Sequence, residues 1–304
     1  MATPAAAWSE ADAMRSVQGS RVGDLWYALR QNVLVLIGSI LVGLFVLLGI
    51  AGLVIFLTPA LQGLYSNQDL MHTLAPPLSP GHLLGTDNLG RDIAYRLVAG
   101  LGTSLLVGVA VSVLSLFFGM IFGVIAGYFR GWPDALIGAV VDVTLGFPVI
   151  LFAVVIAGAL GAGLLAVVVS VGLINWAGFA RIIRGQTLSL REREFVEASE
   201  ALGIPTWRIL LTHFVPNLMP PTLVMASYYM AVAIIVEAGL SFLGLGAQPP
   251  TPSLGQMISD GRDYLYVSPW FAVIPCIVLA LVVLGLSILG DGLRDIFDPR
   301  LGRQ

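Results

Sequence analysis

A chain of 304 residues that is 57% hydrophobic, 11% charged and of mean hydropathy +0.91 is not a water-soluble domain, in which about a quarter of residues carry charge. Its one cysteine excludes a disulfide framework, and His72, His82 and His213 stand too far apart for metal-ligand spacing. The net charge of −3 is spread over loops of mixed sign, so no nucleic-acid partner is expected, and the 15 basic residues are all Arg, which rules out a Lys-containing phosphate loop.

Crossing a bilayer takes roughly 20 apolar residues, and six runs meet that length: about 33–57, 101–128, 135–160, 164–183, 218–243 and 270–289. All are expected to be helices, since lipid satisfies no backbone group; the fold class is an all-α integral membrane protein. Residues 1–32 lack the apolar core of a secretory signal, so they read as a cytoplasmic tail and the first run as a retained anchor. With both termini cytoplasmic, 12 of 15 Arg lie inside, leaving Arg91, Arg96 and Arg262 outside, as charge bias at membranes favours. The short tail 292–304 then returns to the cytoplasm.

Residues 58–100 form an extracytoplasmic segment rich in proline, containing Leu84, Gly85, Thr86, Asp87, Asn88, Leu89, Gly90, Arg91 and Asp92. The glycines suit turns, and Asp87 can cap a short helix from Asn88 onward; pairing of Asp87, Arg91 and Asp92 makes either an ordered connection or a lid on the outer mouth. In the second run Gly119, Gly123 and Gly127 recur every four residues, a stripe on which another helix can approach closely. Tyr128 to Asp134 reads as a tight turn with interfacial aromatics, Pro133 suiting the first turn of the next helix. Beyond the fifth run, Ser253 and Gln256 have capping-box spacing for a short helix to about Leu265.

Ionisable side chains within apolar runs are costly and point to function by default. Asp142 and Glu237 are the two carboxylates here, with Asn175 as a neutral polar companion; each must face protein or a water-filled cavity, as structural pairs or as contacts to a transported molecule. Cys276, inside the last run, reads as core filling.

The hairpin 185–216 breaks the apolar pattern. Ser189 and Glu192 have capping-box spacing for a helix from Leu190 to Leu202, with Gly203 as its left-handed end. Ile204 and Pro205 make an elbow, and Thr206 can cap a second helix through Phe214. On the first helix Phe195, Ala198 and Leu202 share one face, while Arg193, Glu197 and Glu200 share another. Glu192, Glu194, Glu197 and Glu200 outnumber Arg191 and Arg193. A helix lying on anionic lipid would carry the opposite charge, so a protein groove is the expected partner.

Glu197-Ala198-Ser199, followed by Gly203 and Pro216, resembles the Glu-Ala-Ala motif of bacterial ATP-binding-cassette importer permeases, with Ser in the third place. Leu84 to Asp87 with Gly90 to Asp92, Phe147-Pro148, Arg191 to Glu194, His213 to Asn217, Ser241 to Gly246 and Gly290 to Asp295 are similar to the dipeptide and oligopeptide permease family over roughly residues 30–300. The resemblance implies the type I permease fold, with residues 101–291 as the permease domain. It implies a non-catalytic subunit that forms half a pathway for di- or oligopeptides. Its partners would be a second homologous permease, two ATPases or one fused ATPase, and an extracytoplasmic peptide-binding protein. It also implies that the first hairpin helix seats in an ATPase, through Glu194, Phe195, Glu197, Ala198, Ser199, Glu200, Leu202, Gly203, Ile204 and Pro205. ATP and Mg would belong to those partners, with no cofactor in this chain, and the location would be the bacterial inner membrane. Nickel, opine or glutathione import within the same family is an alternative. From other classes, an ion-coupled transporter using Asp142 and Glu237, and a membrane anchor or sensor, are the rivals.

Overall fold

In the computed structural model residues 33–297 are described; the tail 1–32 and residues 298–304, with Arg15, Arg21, Arg30, Arg300 and Arg303, lie outside the described residues. The described residues are helical with irregular connections. In order they are α1 (Val33–Leu57), α2 (Gly63–Ser66), α3 (Ile93–Phe129), α4 (Gly131–Gly146), α5 (Val149–Leu160), α6 (Leu164–Arg191), α7 (Glu194–Ala201), α8 (Thr206–Ile209), α9 (Val215–Phe242), α10 (Leu254–Arg262) and α11 (Trp270–Phe297). Short 3₁₀ turns sit at Pro59–Leu61 and Leu70–His72.

The long helix α3 is the spine. It begins eight residues before the expected apolar run because Asp92 caps it, accepting from the amides of Ala94 at 2.8 Å and Tyr95 at 3.1 Å. At 37 residues it spans about 55 Å, well beyond the ~30 Å hydrocarbon layer. Its glycine stripe does what the spacing predicts: Cβ atoms at Gly119, Gly123 and Gly127 would collide with Phe179, Ala180 and Thr187 of α6. There the two backbones can close together. Gly52 and Gly102 bring α1 onto α3 in the same way.

Apolar packing runs along α3 in three clusters. Ile93, Leu97 and Leu101 meet Ile234, Leu254, Met257 and Phe271; Val107 and Val111 meet Val171, Ile174 and Leu240; Met120 and Val124 meet Phe179, Ile183, Ile209 and Phe214. By contrast α1 leaves Ile40, Leu44 and Leu47 exposed, as a helix facing lipid should.

Several elements depart from the apolar-run expectation. The third run is two helices bent by 95° at Phe147–Pro148, because a residue before proline resists the helical conformation and Phe147 stays extended. Neither piece, at 16 and 12 residues or about 24 and 18 Å, is long enough alone. The fourth helix runs on past Ile183 to Arg191. The fifth joins the hairpin, since α8, a π turn at Leu210–Phe214 and α9 form one helix from Thr206 to Phe242. Pro216 has no N–H for the carbonyl four residues back, and the turn before it widens so that the Val215 amide reaches Leu210. The last helix runs past Leu289, through the expected start of the tail at 292, to Phe297. Cys276 is exposed on it, not buried in the core.

Candidate functional site

The hairpin is placed by two helix stops. The Ser189–Glu192 capping box does not form: α6 carries straight through it, because Thr187 is buried against Gly127 and Arg191 is fixed to the end of α3. Tertiary packing overrides the local cap. Glu192 and Arg193 make the break, and α7 starts at Glu194 without a side-chain cap, its first-turn Glu194 and Glu197 lying where the helix dipole favours negative charge.

The other stop matches the expectation. Gly203 has φ +72°; its amide reaches Glu200 O at 3.0 Å, and that of Ile204 reaches Ser199 O at 3.1 Å, the double closure of a left-handed helix end. The second helix starts at Thr206 with Pro205 in the capping position, so Thr206 is not the cap.

This geometry sorts the predicted residues. Val196 and Ser199 face inward, Ser199 donating to Phe195 O at 2.7 Å. Glu200 is held from behind by the Tyr128 hydroxyl at 2.8 Å. Glu194, Glu197, Ala198, Gly203 and Pro205 are exposed, and Ile204 is half-buried. Phe195 is 41% exposed and Leu202 80%, continuing into Trp207 and Leu211. The expected apolar ridge therefore stands free beside carboxylates. Pro216, exposed near the start of α9, is set back from it.

Sequence reasoning missed the anchor beneath. Tyr128, the last buried residue of α3, holds Glu200 through its hydroxyl, packs edge-on to Phe214 at 5.4 Å, and takes the Arg191 guanidinium over its ring at 4.9 Å. Arg191 also donates to the Tyr128 carbonyl, and Arg130 to Glu192 at 3.0 Å. Its place in the sequence marks Tyr128 only as an interfacial aromatic; its main partner is 72 residues away.

At the other end of α3, Gly85, Thr86, Asp87, Gly90 and Arg91 are buried. Asp87 does not cap a helix at Asn88. It accepts from the amides of Leu89 at 2.8 Å and Arg91 at 2.9 Å, from the Arg91 side chain at 2.6 Å, and lies 3.3 Å from Arg96. Arg96, 1% exposed, also faces Asp260 of α10 at 3.7 Å; burial raises the Asp260 carboxyl above the usual carboxylate range, partly offset by Arg96. Asp92 pairs with His82 at 2.8 Å and not with Arg91. Thr86 accepts from the Ala75 amide at 2.8 Å and donates to His72 O. Ser253 caps α10, accepting from the Gln256 amide at 3.2 Å, but Gln256 Oε1 makes no return bond, so only half of the expected box forms, and the helix ends at Arg262.

The intramembrane polar residues are not brought together. Glu237 is fully buried and accepts from Ser241 at 2.7 Å and Ser104 at 3.3 Å. Asn175 is buried, and its side-chain nitrogen makes no hydrogen bond. Asp142 is exposed and takes a hydrogen bond from Arg181 of α6. No metal-holding cluster occurs among the described residues.

Residues 119–303 match the model of the binding-protein-dependent transport system inner membrane component family. The chain is 39% identical to the dipeptide transport system permease protein DppC of Alkalihalophilus pseudofirmus, covering 90% of this chain and 88% of the relative. It is 38% identical to the glutathione transport system permease protein GsiD of Pectobacterium atrosepticum, covering 90% and 89%, and 39% identical to the oligopeptide transport system permease protein OppC of Haemophilus influenzae, covering 83% and 82%. A chain of the MetNI methionine ABC transporter in an inward-facing conformation shares the fold, with TM-score 0.54, 21% identity, and 67% of this chain and 97% of that one covered. With its spanning helices, its exposed hairpin and these matches, the chain belongs to the binding-protein-dependent transport system inner membrane components, the multi-pass permease subunits of type I ATP-binding-cassette importers.

Proposed function

We propose that this subunit forms half of an inner-membrane pathway for di- and oligopeptides, and that α7 is the coupling helix that seats in a cytoplasmic ATPase. One observation carries the coupling reading: Phe195 and Leu202 stand exposed beside Glu194 and Glu197, on an element joined to α6 through Glu192 and Arg193 and to the continuous helix 206–242 through residues 202–205. A force on α7 passes to both. Residues 101–291 act as the pathway unit behind the anchoring helix 33–57, with the termini and hairpin cytoplasmic. The partners are a second homologous permease, two ATPases or one fused ATPase that bind ATP and Mg, and an extracytoplasmic peptide-binding protein. The chain itself catalyses nothing and needs no cofactor.

Peptide as cargo is supported by the dipeptide and oligopeptide permeases among the relatives. The glutathione permease of equal coverage supports a second reading, in which the cargo is that modified tripeptide. The test is ATP-driven uptake into proteoliposomes carrying the whole complex, with labelled dipeptide, pentapeptide and glutathione in competition. Glu197→Ala should weaken docking by about 1.5–3 kcal/mol, the worth of a charge-assisted hydrogen bond. Normal uptake with normal stimulated ATPase in that variant would sink the coupling role.

A further inference from the structure

The face between α4 and α6 holds a cavity of about 410 Å³, open on one side, with Asp134, Gly138 and Asp142 on one wall and Ala180, Arg181 and Arg184 on the other. Asp134, Gly138 and Asp142 are four residues apart and so form one stripe of α4. Two ion pairs cross the gap, and they differ. Arg184 grips Asp134 with two hydrogen bonds, one of them at 2.7 Å, and the side chains are 39% and 20% exposed. Arg181 meets Asp142 through one nitrogen, with side chains 54% and 74% exposed.

By the run bounds above, Asp134 and Arg184 lie just outside the inner ends of the third and fourth runs and Asp142 and Arg181 within two turns of them; charged groups this open do not face lipid, so water or a partner's surface must lie against them. The volume suits a small ligand. Only small or apolar residues complete the lining, so the four charges decide what enters.

We infer that this cavity is a transient subsite on the transport pathway for the two charged ends of a short peptide, with Arg181 taking the carboxylate and Asp142 the ammonium; it rests on the peptide reading above. The exchange conserves charge pairing. Opening Arg181–Asp142 exposes one cation and one anion, and a free-ended peptide closes both with new ion pairs. A peptide blocked at both ends closes neither, and a singly charged solute leaves one charge unpaired. Because one pair is given up for two, net binding is weak, as passage requires. The bidentate Arg184–Asp134 pair stays shut and holds α4 at a fixed distance from α6.

Gly138 offers a direct probe. It lies midway between the two carboxylates, and a Cβ there would meet no atom within 4 Å. With Cys276→Ser removing this subunit's only native thiol, Gly138→Cys is introduced into the assembled complex in nanodiscs during ATP turnover, and its modification by a small water-soluble methanethiosulfonate is timed on the separated subunit. Dialanine at about ten times its dissociation constant should slow labelling about tenfold by occupancy, whereas N-acetyl-dialanine amide should not. Adding Asp142→Asn and Arg181→Gln should abolish the protection but leave labelling itself unchanged.

An unreactive thiol would mean that a protein surface covers the cavity. Equal protection by both peptides, or protection that survives the double substitution, would remove the role of the charges. Any of these overturns the inference. Uptake of labelled dipeptide by the same complex separates the two readings. Uptake without protection at Gly138 sinks this subsite alone; absent uptake of every peptide sinks the cargo assignment and the subsite with it.

Discussion

The two ends of α3 handle polar residues in opposite ways. Near Ile93, charge is turned inward: Asp87, Arg91 and Arg96 are buried against one another, and Asp92 caps the helix. Near Tyr128, charge and apolar surface are turned outward, and of α7 only Val196, Ser199 and Glu200 are turned back to anchor it. One end pairs most of its charge internally, leaving Arg96 Nε and Nη1 without a hydrogen bond, and the other leaves an apolar ridge uncovered. Yet both carry signature residues, so a residue's place in a family motif does not tell whether it serves the fold or an interface; burial does.

The largest effect that could break this contrast lies at Asp87. Asp87→Asn keeps the shape of the turn but leaves Arg91 and Arg96 buried with only the distant Asp260. Removing one partner of a buried ion pair costs about 3–5 kcal/mol. The purified subunit should melt at a clearly lower temperature in detergent, and its yield should fall. A melting temperature equal to that of wild type would show that the segment is a loose lid and not part of the folded body.

A smaller effect is expected at Gly203. No atom crowds its missing Cβ, so Gly203→Val acts through the backbone alone, where the left-handed conformation costs about 1–2 kcal/mol for a residue with a Cβ, and more for a β-branched one. The loss should stay local: α7 should tilt, and the complex should lose its ATPases while the spans still insert. Wild-type ATPase stoichiometry in the purified variant would show that the turn after α7 tolerates another conformation.

How much of this could be read beforehand follows from how local each signal is. The glycine stripe at 119, 123 and 127, the helix end at Gly203 and the cap at Ser253 each depend on residues within a few turns, and each stands where its spacing puts it; the apolar runs located the helices but not their ends, nor the break in the third. The Ser189–Glu192 box was equally local and failed, because packing at Thr187 and Arg191 outweighs one cap. Phe147–Pro148 was visible as a motif, but the size of the bend depends on what α4 and α5 pack against. The Tyr128–Glu200, Arg181–Asp142 and Ser104–Glu237 bonds link residues 72, 39 and 133 apart in sequence. No periodicity carries such information; only the fold does.

The smallest effect on the fold tests the contrast most sharply. Leu202 is 80% exposed and no core cluster includes it. As a surface substitution away from caps and buried pairs, Leu202→Ser should change stability by no more than about 0.5 kcal/mol, so the melting temperature should match wild type. Its value to an interface is another matter, because a fully buried leucine contributes about 1.5–3 kcal/mol. If α7 seats in a groove, the variant should assemble its membrane subunits normally but bind its ATPases roughly tenfold to a hundredfold more weakly, with stimulated ATPase activity falling in step. Titrating the ATPase back to saturation should restore turnover, since only affinity has changed. A variant as stable as wild type and equally well coupled would mean that the exposed ridge meets lipid or water, and the hairpin would then have to engage its partner through its carboxylates alone.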